Sequence, residues 1–213
     1  MSIYSKLFQI EKNAEDIRIT ILTNIVKMMT ERKLLKEQNL QSNIAKLVDF
    51  KTDEQTYVID LENDNKNYKV NKMAIKLINQ KITAVNKSLG INEFLNNFKD
   101  YPKIMIIKGI SKKANQYILN NYSNTEIFLE EEMMINLIDH DLVPRHILLT
   151  PEESETFYEN FNCKKRNMPK IFSSDPVAKY YNMQIGDICR IIRPSETAGF
   201  AATYRLVVKG SIK

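Results

Sequence analysis

The 213-residue sequence has few glycines and lacks the glycine motifs of nucleotide-binding sites. None of its five glycines falls in a GxGxxG or GxxxxGK[ST] arrangement, in which backbone amides bind phosphate groups. A GxSxG motif is also missing, and serine and histidine are not arranged in a pattern typical of a base-activated nucleophile. The sequence therefore does not support nucleotide binding or covalent catalysis.

Cysteine and histidine are equally scarce, with two residues of each. Cys163 and Cys189 are too few and too far apart for a disulfide scaffold, and an intracellular compartment keeps such thiols reduced. Together with His140 and His146 they form a zinc site only if the fold brings all four together, and no CxxC or HxxxH spacing favours this. We predict no metal ion and no cofactor.

Long apolar runs are missing as well. No run approaches the roughly 18 residues of a membrane span, and the N-terminus lacks an apolar segment followed by a cleavage site. The net charge of +5 is too small to indicate a polyanionic partner by itself. With 43% hydrophobic residues, the chain can form a substantial core in one or two domains. We expect a soluble intracellular protein that has no membrane partner.

The N-terminal segment has an apolar stripe at helical spacing, which predicts a long helix. The stripe consists of Leu7, Ile10, Ala14, Ile17, Ile21 and, after a gap at Asn24, Met28. Further apolar residues widen it into a broad face, so packing onto its own domain is favoured over a coiled coil.

Between residues 51 and 92 the pattern is weaker. TYVIDL (56–61) predicts a strand and NDNKNYK (63–69) a polar turn. Residues 71–89 are predicted to form a helix that carries Ile75, Ile78, Ile82 and Val85.

From Tyr101 onward, KIMIIKGIS (103–111) predicts a buried strand, followed by a helix from Lys112 to Asn120. TEIFLEEEMMINLI (125–138) is ambiguous, because it allows either a helix or an edge strand in EIFLEEE and a second strand in MMINLI. The strand, helix, strand order suggests a β-α-β unit. The run of glutamates at 130–132 resembles a metal-binding or acid-base cluster, but a solvated surface is favoured.

The last third of the chain has the clearest local signals. Thr150, Pro151 and Glu153 form a capping box that predicts a helix from Pro151 to about Phe161, after a short strand in LVPRHILLT (142–150). The pair at 175–176 predicts a second helix, with Asn182 as its left-handed end.

After this second helix, CRIIRPS (189–195) and AATYRLVV (201–208) are rich in β-forming residues and predict a hairpin. This part of the chain is therefore predicted to be a small mixed sheet with two helices.

The segment from Asp139 to Val208 closely resembles the C-terminal assembly domain of the fifth subunit shared by eukaryotic nuclear RNA polymerases, a relative of a small subunit of the archaeal RNA polymerase. The matching blocks, in the family's order, are HDLVPRH (140–146), MPKI (168–171), DPVA (175–178), GD (186–187), IIR (191–193), SET (195–197) and YR (204–205). Asn182 stands where the family usually has glycine, and a short tail, 209–213, extends beyond the usual end. The resemblance is looser upstream, where it covers mainly 104–114 and 125–140.

The resemblance implies an α+β protein with two domains, a jaw over residues 1–138 and an assembly domain over 139–213. The jaw would contain the β-α-β unit, in a fold similar to that of nucleases. The chain would be a non-catalytic subunit of a multisubunit DNA-directed RNA polymerase. Its assembly domain would dock on the largest subunit, and its jaw would flank the downstream duplex DNA. Other polymerase subunits and transcription regulators would be further partners.

The location follows from the same resemblance. It would be the nucleus for a cellular protein, and a viral factory in the cytoplasm or the virion for a copy encoded by a large DNA virus. The abundance of isoleucine, asparagine and lysine is typical of an A+T-rich genome, which fits such a virus or a parasite.

Five polar residues of the matching region are not explained by caps or turns: Arg145, His146, Arg193, Glu196 and Arg205. Arginine suits bidentate binding of carboxylates and is frequent at interface anchors. We predict that these residues bind the largest subunit, and that Arg193 and Arg205 present a fork-like set of donors from the two hairpin strands.

Ser111, Lys112 and Lys113 are predicted to lie close to DNA. The family shows a threonine-proline-serine-alanine turn near downstream DNA at this place, and here lysines replace the middle pair. Cations at a helix start are unfavourable for the helix and better explained by a nearby anion. Two solvated lysines are the alternative.

Two other functions compete with a polymerase subunit. A nuclease-derived DNA-binding module would fit the jaw, but an active nuclease needs carboxylates and a lysine in an E-x-K pattern, and this strand has Ile106, Ile107 and Lys108. A transcription-associated interaction protein outside the polymerase core is the third possibility. The many polar blocks in fixed order favour the polymerase subunit.

Overall fold

The computed structural model describes residues 13–50, 54–62, 71–83, 90–122 and 124–210. The chain divides into two compact units, Met1–Ile135 and Asn136–Lys213. The boundary predicted after residue 138 lies three residues beyond this division. Each unit combines helices with a mixed sheet, which confirms the α+β class. Within the described ranges, none of the helices has both the length and the apolarity that crossing a bilayer requires.

The first helix of the N-terminal unit, α1, spans Ala14–Glu31. Asn13 caps it, since its Oδ1 accepts a hydrogen bond from the Asp16 amide at 2.7 Å. The start of the predicted stripe, at Leu7 and Ile10, lies outside the described residues. The remainder forms a helix whose buried residues pack inside its own unit, as predicted: Ile21, Leu22, Ile25, Val26, Met28 and Met29.

Two further helices of this unit were not predicted, α2 at Leu40–Asp49 and α3 at Ile91–Asn97. The carboxylate of Glu62 accepts hydrogen bonds from the Lys36 amide and from the side chains of Asn39 and Asn43, near the start of α2. These bonds, the one from Asn43 foremost, lower the pKa of Glu62. A polar residue distant in sequence thus helps to fix α2.

The described residues of the N-terminal unit form a four-stranded sheet in the order β1-β2-β3-β4. Its strands are β1 Thr56–Asp60, β2 Lys72–Ile82, β3 Lys103–Ile110 and β4 Thr125–Leu129. β1 is antiparallel to β2, whereas β2, β3 and β4 are parallel. Helix α4, Lys112–Asn121, connects β3 to β4, so the predicted strands at 56–61 and 103–111, the helix and the β-α-β unit are confirmed.

The helix predicted over residues 71–89 is wrong, because residues 72–82 form strand β2. β2 lies between β1 and β3 in the middle of the sheet, and residues 73–77 are all buried. A strand buried on both faces is apolar without strict alternation, so a helical spacing of Ile75, Ile78 and Ile82 can arise by coincidence. The predicted polar turn at 63–69 and residues 84–89 lie outside the described residues.

The ambiguous segment at 125–138 forms an edge strand followed by a single helical turn. Strand β4 ends at Leu129, and α5 covers only Glu130–Met133. The Glu132 carboxylate accepts a hydrogen bond from the Leu129 amide at 2.8 Å, which caps the start of this helical turn. The alternative of a second strand at 133–138 is not observed, because the helical turn extends to Met133 and residues 137–139 form a 3-10 turn.

Helices pack on both faces of this sheet. On one face, Ala74, Met105 and Ile107 form a core with α3 and α4. On the other face, Arg18 of α1 donates to the Tyr57 hydroxyl at 3.1 Å, and Arg32 binds Glu126. The sheet is therefore the middle layer of this unit.

The C-terminal unit contains a second four-stranded sheet in the order β5-β7-β8-β6. Its elements are β5 Arg145–Leu148, α6 Pro151–Phe161, β6 Lys170–Phe172, α7 Pro176–Tyr180, β7 Ile188–Ser195 and β8 Gly199–Val208. β6 is parallel to β8 and the other pairs are antiparallel. The predicted hairpin and the mixed sheet with two helices are confirmed.

The predicted helix ends of this unit are also confirmed. The Thr150 hydroxyl accepts from the Glu153 amide at 3.2 Å, and the Glu153 carboxylate accepts from the Thr150 amide at 2.8 Å. Asp175 accepts from the Val177 amide at 2.9 Å at the start of α7. Asn182 follows this helix with a φ of 49°, in the left-handed region.

Candidate functional site

The register of the C-terminal hairpin assigns each of its side chains to one of two sheet faces, because paired residues lie on the same face. Ile188 pairs with Leu206 and packs with Phe157 of α6, so we call this side the α6 face. Cys189 packs with Ala178 of α7 on the opposite side, the α7 face. This division decides which of the predicted site residues lie together.

His146 lies on the α7 face, paired with Ile191, and only 8% of its surface is exposed. Its Nδ1 lies 2.6 Å from the Pro144 carbonyl oxygen, which can only accept, so Nδ1 carries the proton and donates. Burial lowers the pKa of His146, and Arg205 lowers it further, while the Pro144 carbonyl and Asp175 act in the opposite direction. The ring thus fixes β5 from inside the unit and leaves little surface for a partner.

Arg193 and Arg205 are exposed on the same α7 face, but not side by side. Arg193 pairs with Ala201 whereas Arg205 pairs with Cys189, so they are offset by four residues, about 13 Å along the strands. The predicted fork therefore does not form from these two residues in this structure. Glu196 lies in the exposed turn at the end of the hairpin.

Arg145, the fifth predicted residue, is exposed on the α6 face, where it pairs with Ile192. Its neighbour on this face is Arg190, which pairs with Ile147 on β5 and was not singled out from the sequence. The Arg190 Nε is buried and has no hydrogen-bond partner among the described residues. Residues three apart on a strand lie on opposite faces, so the alternation in CRIIR (189–193) places Arg190 and Arg193 on different faces of the sheet. The sequence alone could therefore have distinguished these two arginines.

The C-terminal unit also exposes several large apolar side chains: Leu142, Leu148, Phe161, Phe172, Ile185 and Phe200. Phe200 is 73% exposed at the end of the hairpin, on the α6 face. Leu148 pairs with Cys189 on the α7 face, so the exposed apolar side chains are distributed over both sides of the sheet.

The second candidate surface lies at the start of α4. The Ser111 hydroxyl accepts from the Ala114 amide at 3.2 Å and donates to the Thr83 carbonyl at 2.9 Å, so this residue caps the helix and fixes it to the end of β2. Lys112 and Lys113 are exposed in the first turn, which contains no acidic residue. The three predicted residues are therefore together at one helix end.

Other reactive groups of the described residues are not brought together. Cys163 packs on the α6 face and Cys189 on the α7 face, and burial raises the pKa of Cys189 to about 11. On β3, Ile106 and Ile107 are buried while Lys108 is exposed. Within the described ranges, no group of three or more histidine, cysteine, aspartate or glutamate residues is arranged to hold a metal ion.

Two buried lysines of the N-terminal unit were also missed in the sequence. Lys103 donates to the carbonyls of Lys99 and Tyr101 at 3.3 and 3.1 Å, and burial lowers its pKa. Lys76 donates to the Thr56 hydroxyl at 3.1 Å and lies 5.6 Å from the centroid of the Phe94 ring. Both ammonium groups have partners inside the unit and serve its structure.

The sequence is similar to known RNA polymerase subunits. Residues 135–207 match the family model of the RNA polymerase Rpb5 C-terminal domain. The DNA-directed RNA polymerase subunit 5 of Acanthamoeba polyphaga mimivirus is 34% identical over 212 residues, which cover 95% of this chain and 97% of that relative.

Cellular relatives match about half of the chain. Subunit RPABC1 of DNA-directed RNA polymerases I, II and III from Caenorhabditis elegans is 43% identical over 101 residues, 47% of this chain and 45% of the relative. The Dictyostelium discoideum subunit rpabc1 is 47% identical over 109 residues, 49% of this chain and 55% of the relative. Since the viral relative matches along nearly the whole chain, the protein belongs to the RNA polymerase subunit 5 (Rpb5) family, as the sequence blocks predicted.

Proposed function

We propose that this protein is a non-catalytic subunit of a multisubunit DNA-directed RNA polymerase and that its C-terminal unit docks on the largest subunit. The observation that supports this most directly is the 34% identity to a viral polymerase subunit over 95% of the chain. Nucleotidyl transfer belongs, in this proposal, to the two largest subunits. The N-terminal unit acts as a jaw and the C-terminal unit as the assembly domain.

The exposed side chains of the C-terminal unit support docking. Arg145, Arg193 and Arg205 are exposed and form no ion pair with a carboxylate of the described residues. Arginine beside exposed apolar groups is typical of interface anchors. Glu196 at the hairpin turn adds a carboxylate for a basic partner group, and His146 holds β5 in place beneath this surface.

The start of α4 supports a position of the jaw beside downstream duplex DNA. Lys112 and Lys113 add two positive charges at the start of α4, where the helix already has a partial positive charge, and a phosphate group would offset this unfavourable arrangement. These contacts would be to the DNA backbone and would carry no sequence preference.

Co-purification tests the main proposal. The tagged full chain, expressed in its native host, is expected to retain the largest polymerase subunit and other polymerase subunits, identified by mass. Recovery of DNA or of other nuclear proteins without any polymerase subunit would contradict the proposal and favour a DNA-binding or interaction module outside the polymerase. Microscopy of the same tagged chain is expected to locate it with its polymerase, in the nucleus or in a viral factory.

The DNA contact has a separate test in the assembled polymerase. Lys112→Ala with Lys113→Ala is expected to leave assembly unchanged and to reduce the salt slope of duplex binding by about one to two, since each phosphate contact contributes roughly 0.9. Lys164→Ala with Lys165→Ala, an exposed adjacent pair in the C-terminal unit, is the matched control. An unchanged slope in the first variant would mean that Lys112 and Lys113 face water.

A further inference from the structure

The connection between α6 and β6 carries four cationic side chains and no acidic one. These side chains are all exposed: Lys164, Lys165, Arg166 and Lys170. We call residues 164–170 the basic turn. None of its cations forms an ion pair with a carboxylate of the described residues. Neighbouring cations repel one another, so an anionic partner would stabilise this arrangement.

The fold holds the basic turn in a fixed position. Met168 is only 6% exposed and packs in the core of the α6 face. The Pro169 carbonyl accepts a hydrogen bond from the Leu206 amide at 2.9 Å, which joins the end of the turn to β8. The Lys165 Nζ lies 5.7 Å from the centroid of the Tyr158 ring on α6. Charges presented from a fixed backbone lose less entropy on binding than charges on a flexible loop.

The helix that precedes the basic turn has the opposite charge. Residues 151–163 contain four glutamates and no basic residue, and one of these glutamates belongs to the capping box of α6. The other three, Glu152, Glu155 and Glu159, are exposed at helical spacing on one side of α6, and we call them the acidic stripe. They form no ion pair with the basic turn. Phe161, the last residue of α6, is 60% exposed and lies between the two charged parts in the sequence.

We propose that the basic turn, Phe161 and the acidic stripe together bind a protein segment in which an apolar residue separates an acidic part from a basic part. The acidic part contacts the basic turn, and the basic part contacts the acidic stripe. The charge pattern decides the class of partner, because a nucleic acid carries phosphates along its whole length and would be repelled by the glutamates. All of these residues lie outside the β7–β8 hairpin, so this partner is additional to the docking on the largest subunit.

The experiment measures the dissociation constants of the full chain for three fluorescent probes of similar length at low ionic strength. The first probe is a peptide with an aspartate-rich half and a lysine-rich half on either side of a leucine, the second is an all-acidic peptide, and the third is oligothymidine. The first is expected to bind most tightly and to lose affinity as salt is added. Tighter binding of oligothymidine would overturn the proposal in favour of a nucleic acid. Saturable binding of none of the probes would overturn it outright.

Charge reversal tests the basic turn. Lys164→Glu with Arg166→Glu should weaken binding of the first peptide by at least about tenfold, and this variant leaves Lys165 in place against α6. Lys164→Arg with Arg166→Lys keeps the charges and should bind the peptide like the wild type. Lys46→Glu with Lys99→Glu is the matched control, since it changes the net charge equally at exposed positions of the N-terminal unit. Equal losses in the control and in the first variant would overturn the proposal, because the effect would follow net charge alone.

Two further variants test the rest of the surface. Glu155→Lys with Glu159→Lys should weaken binding of the first peptide and strengthen binding of oligothymidine, and unchanged affinities for both would overturn the proposal. Phe161→Ser should weaken binding of the first peptide severalfold without changing its salt dependence. Circular dichroism checks that each variant is folded, and if Phe161→Ser unfolds the C-terminal unit, the exposed charged residues still decide the question. No probe contains a polymerase subunit, so these outcomes are independent of the co-purification test.

Discussion

The two units of the protein differ in how completely helices cover their sheets. In the N-terminal unit, helices pack on both faces, and the central strands β2 and β3 are buried over most of their length. In the C-terminal unit, α6 covers one end of the hairpin and leaves Pro194, Phe200 and Ala202 exposed. A sheet face that its own helices leave partly exposed is suited to contact with another chain.

The units also differ in how their buried polar groups are satisfied. In the N-terminal unit, Arg32 donates two hydrogen bonds to Glu126, at 2.8 and 2.7 Å, and the buried Asn24 donates to the Met133 carbonyl at 2.8 Å. In the C-terminal unit, the buried Nε of Arg190 has no partner among the described residues. The buried polar groups named here are therefore paired in the N-terminal unit, whereas the Arg190 Nε of the C-terminal unit is not.

The largest expected effect concerns the buried ion pair of the N-terminal unit, whose sheet has helices on both faces. Glu126→Ala is expected to destabilise the N-terminal unit by about 3–5 kcal/mol, because it leaves the Arg32 guanidinium buried without its carboxylate. Urea unfolding, with hydrogen exchange to distinguish the amides of the two units, measures this loss. Lys72→Ala is the control, since its 3.4 Å ion pair with Asp60 is exposed and should contribute at most about 1 kcal/mol. Equal effects of the two changes would contradict the contrast between buried and exposed pairs.

Two phenylalanines on the α6 face test the contrast between the end of the hairpin that α6 covers and the end that it leaves exposed. Phe157→Ala is expected to cost about 3–5 kcal/mol, because the buried ring packs on Ile188 and Tyr204. Phe200→Ala should change the free energy of unfolding by no more than about 0.5 kcal/mol, since its side chain is mostly exposed. Thermal unfolding of the full chain compares them. A large loss in Phe200→Ala would mean that this residue belongs to the core of the unit.

A smaller effect concerns Asn24, the polar residue that interrupts the apolar stripe of α1. Asn24→Ala should cost about 1–3 kcal/mol, because the Met133 carbonyl loses its hydrogen-bond donor inside the unit. The same urea experiment measures it, with the exposed Asn97→Ala as the control. A change below about 0.5 kcal/mol would mean that water replaces the amide.

The smallest expected effect is the pH dependence of the C-terminal unit. Burial holds the pKa of His146 below its ordinary value of 6.5, so the unfolded chain takes up a proton first as the pH falls through that value. The stability contributed by the neutral ring is therefore lost on acidification from pH 7.5 to 5.5. His146→Gln should flatten this dependence by at most about 1.4 kcal/mol per pH unit, the contribution of one proton.

Local chemistry determined much of the C-terminal unit from the sequence alone. The capping box at Thr150 and Glu153, the cap at Asp175 and the left-handed Asn182 depend on residues within a few positions of each other. The hairpin and the family blocks are equally local, so they predicted the fold and the family correctly. The same holds for β3 and α4, where Ser111 begins the helix.

Only the tertiary structure decided the features that depend on distant residues. β2 was mistaken for a helix because its burial comes from β1, β3 and helices on both sides, which the sequence of 71–89 does not reveal. α2 is fixed near Glu62, and the polar Asn24 is buried against Met133. At the candidate site, the register separated Arg193 from Arg205 and placed Arg145 beside Arg190, because strand pairing sets which side chains meet.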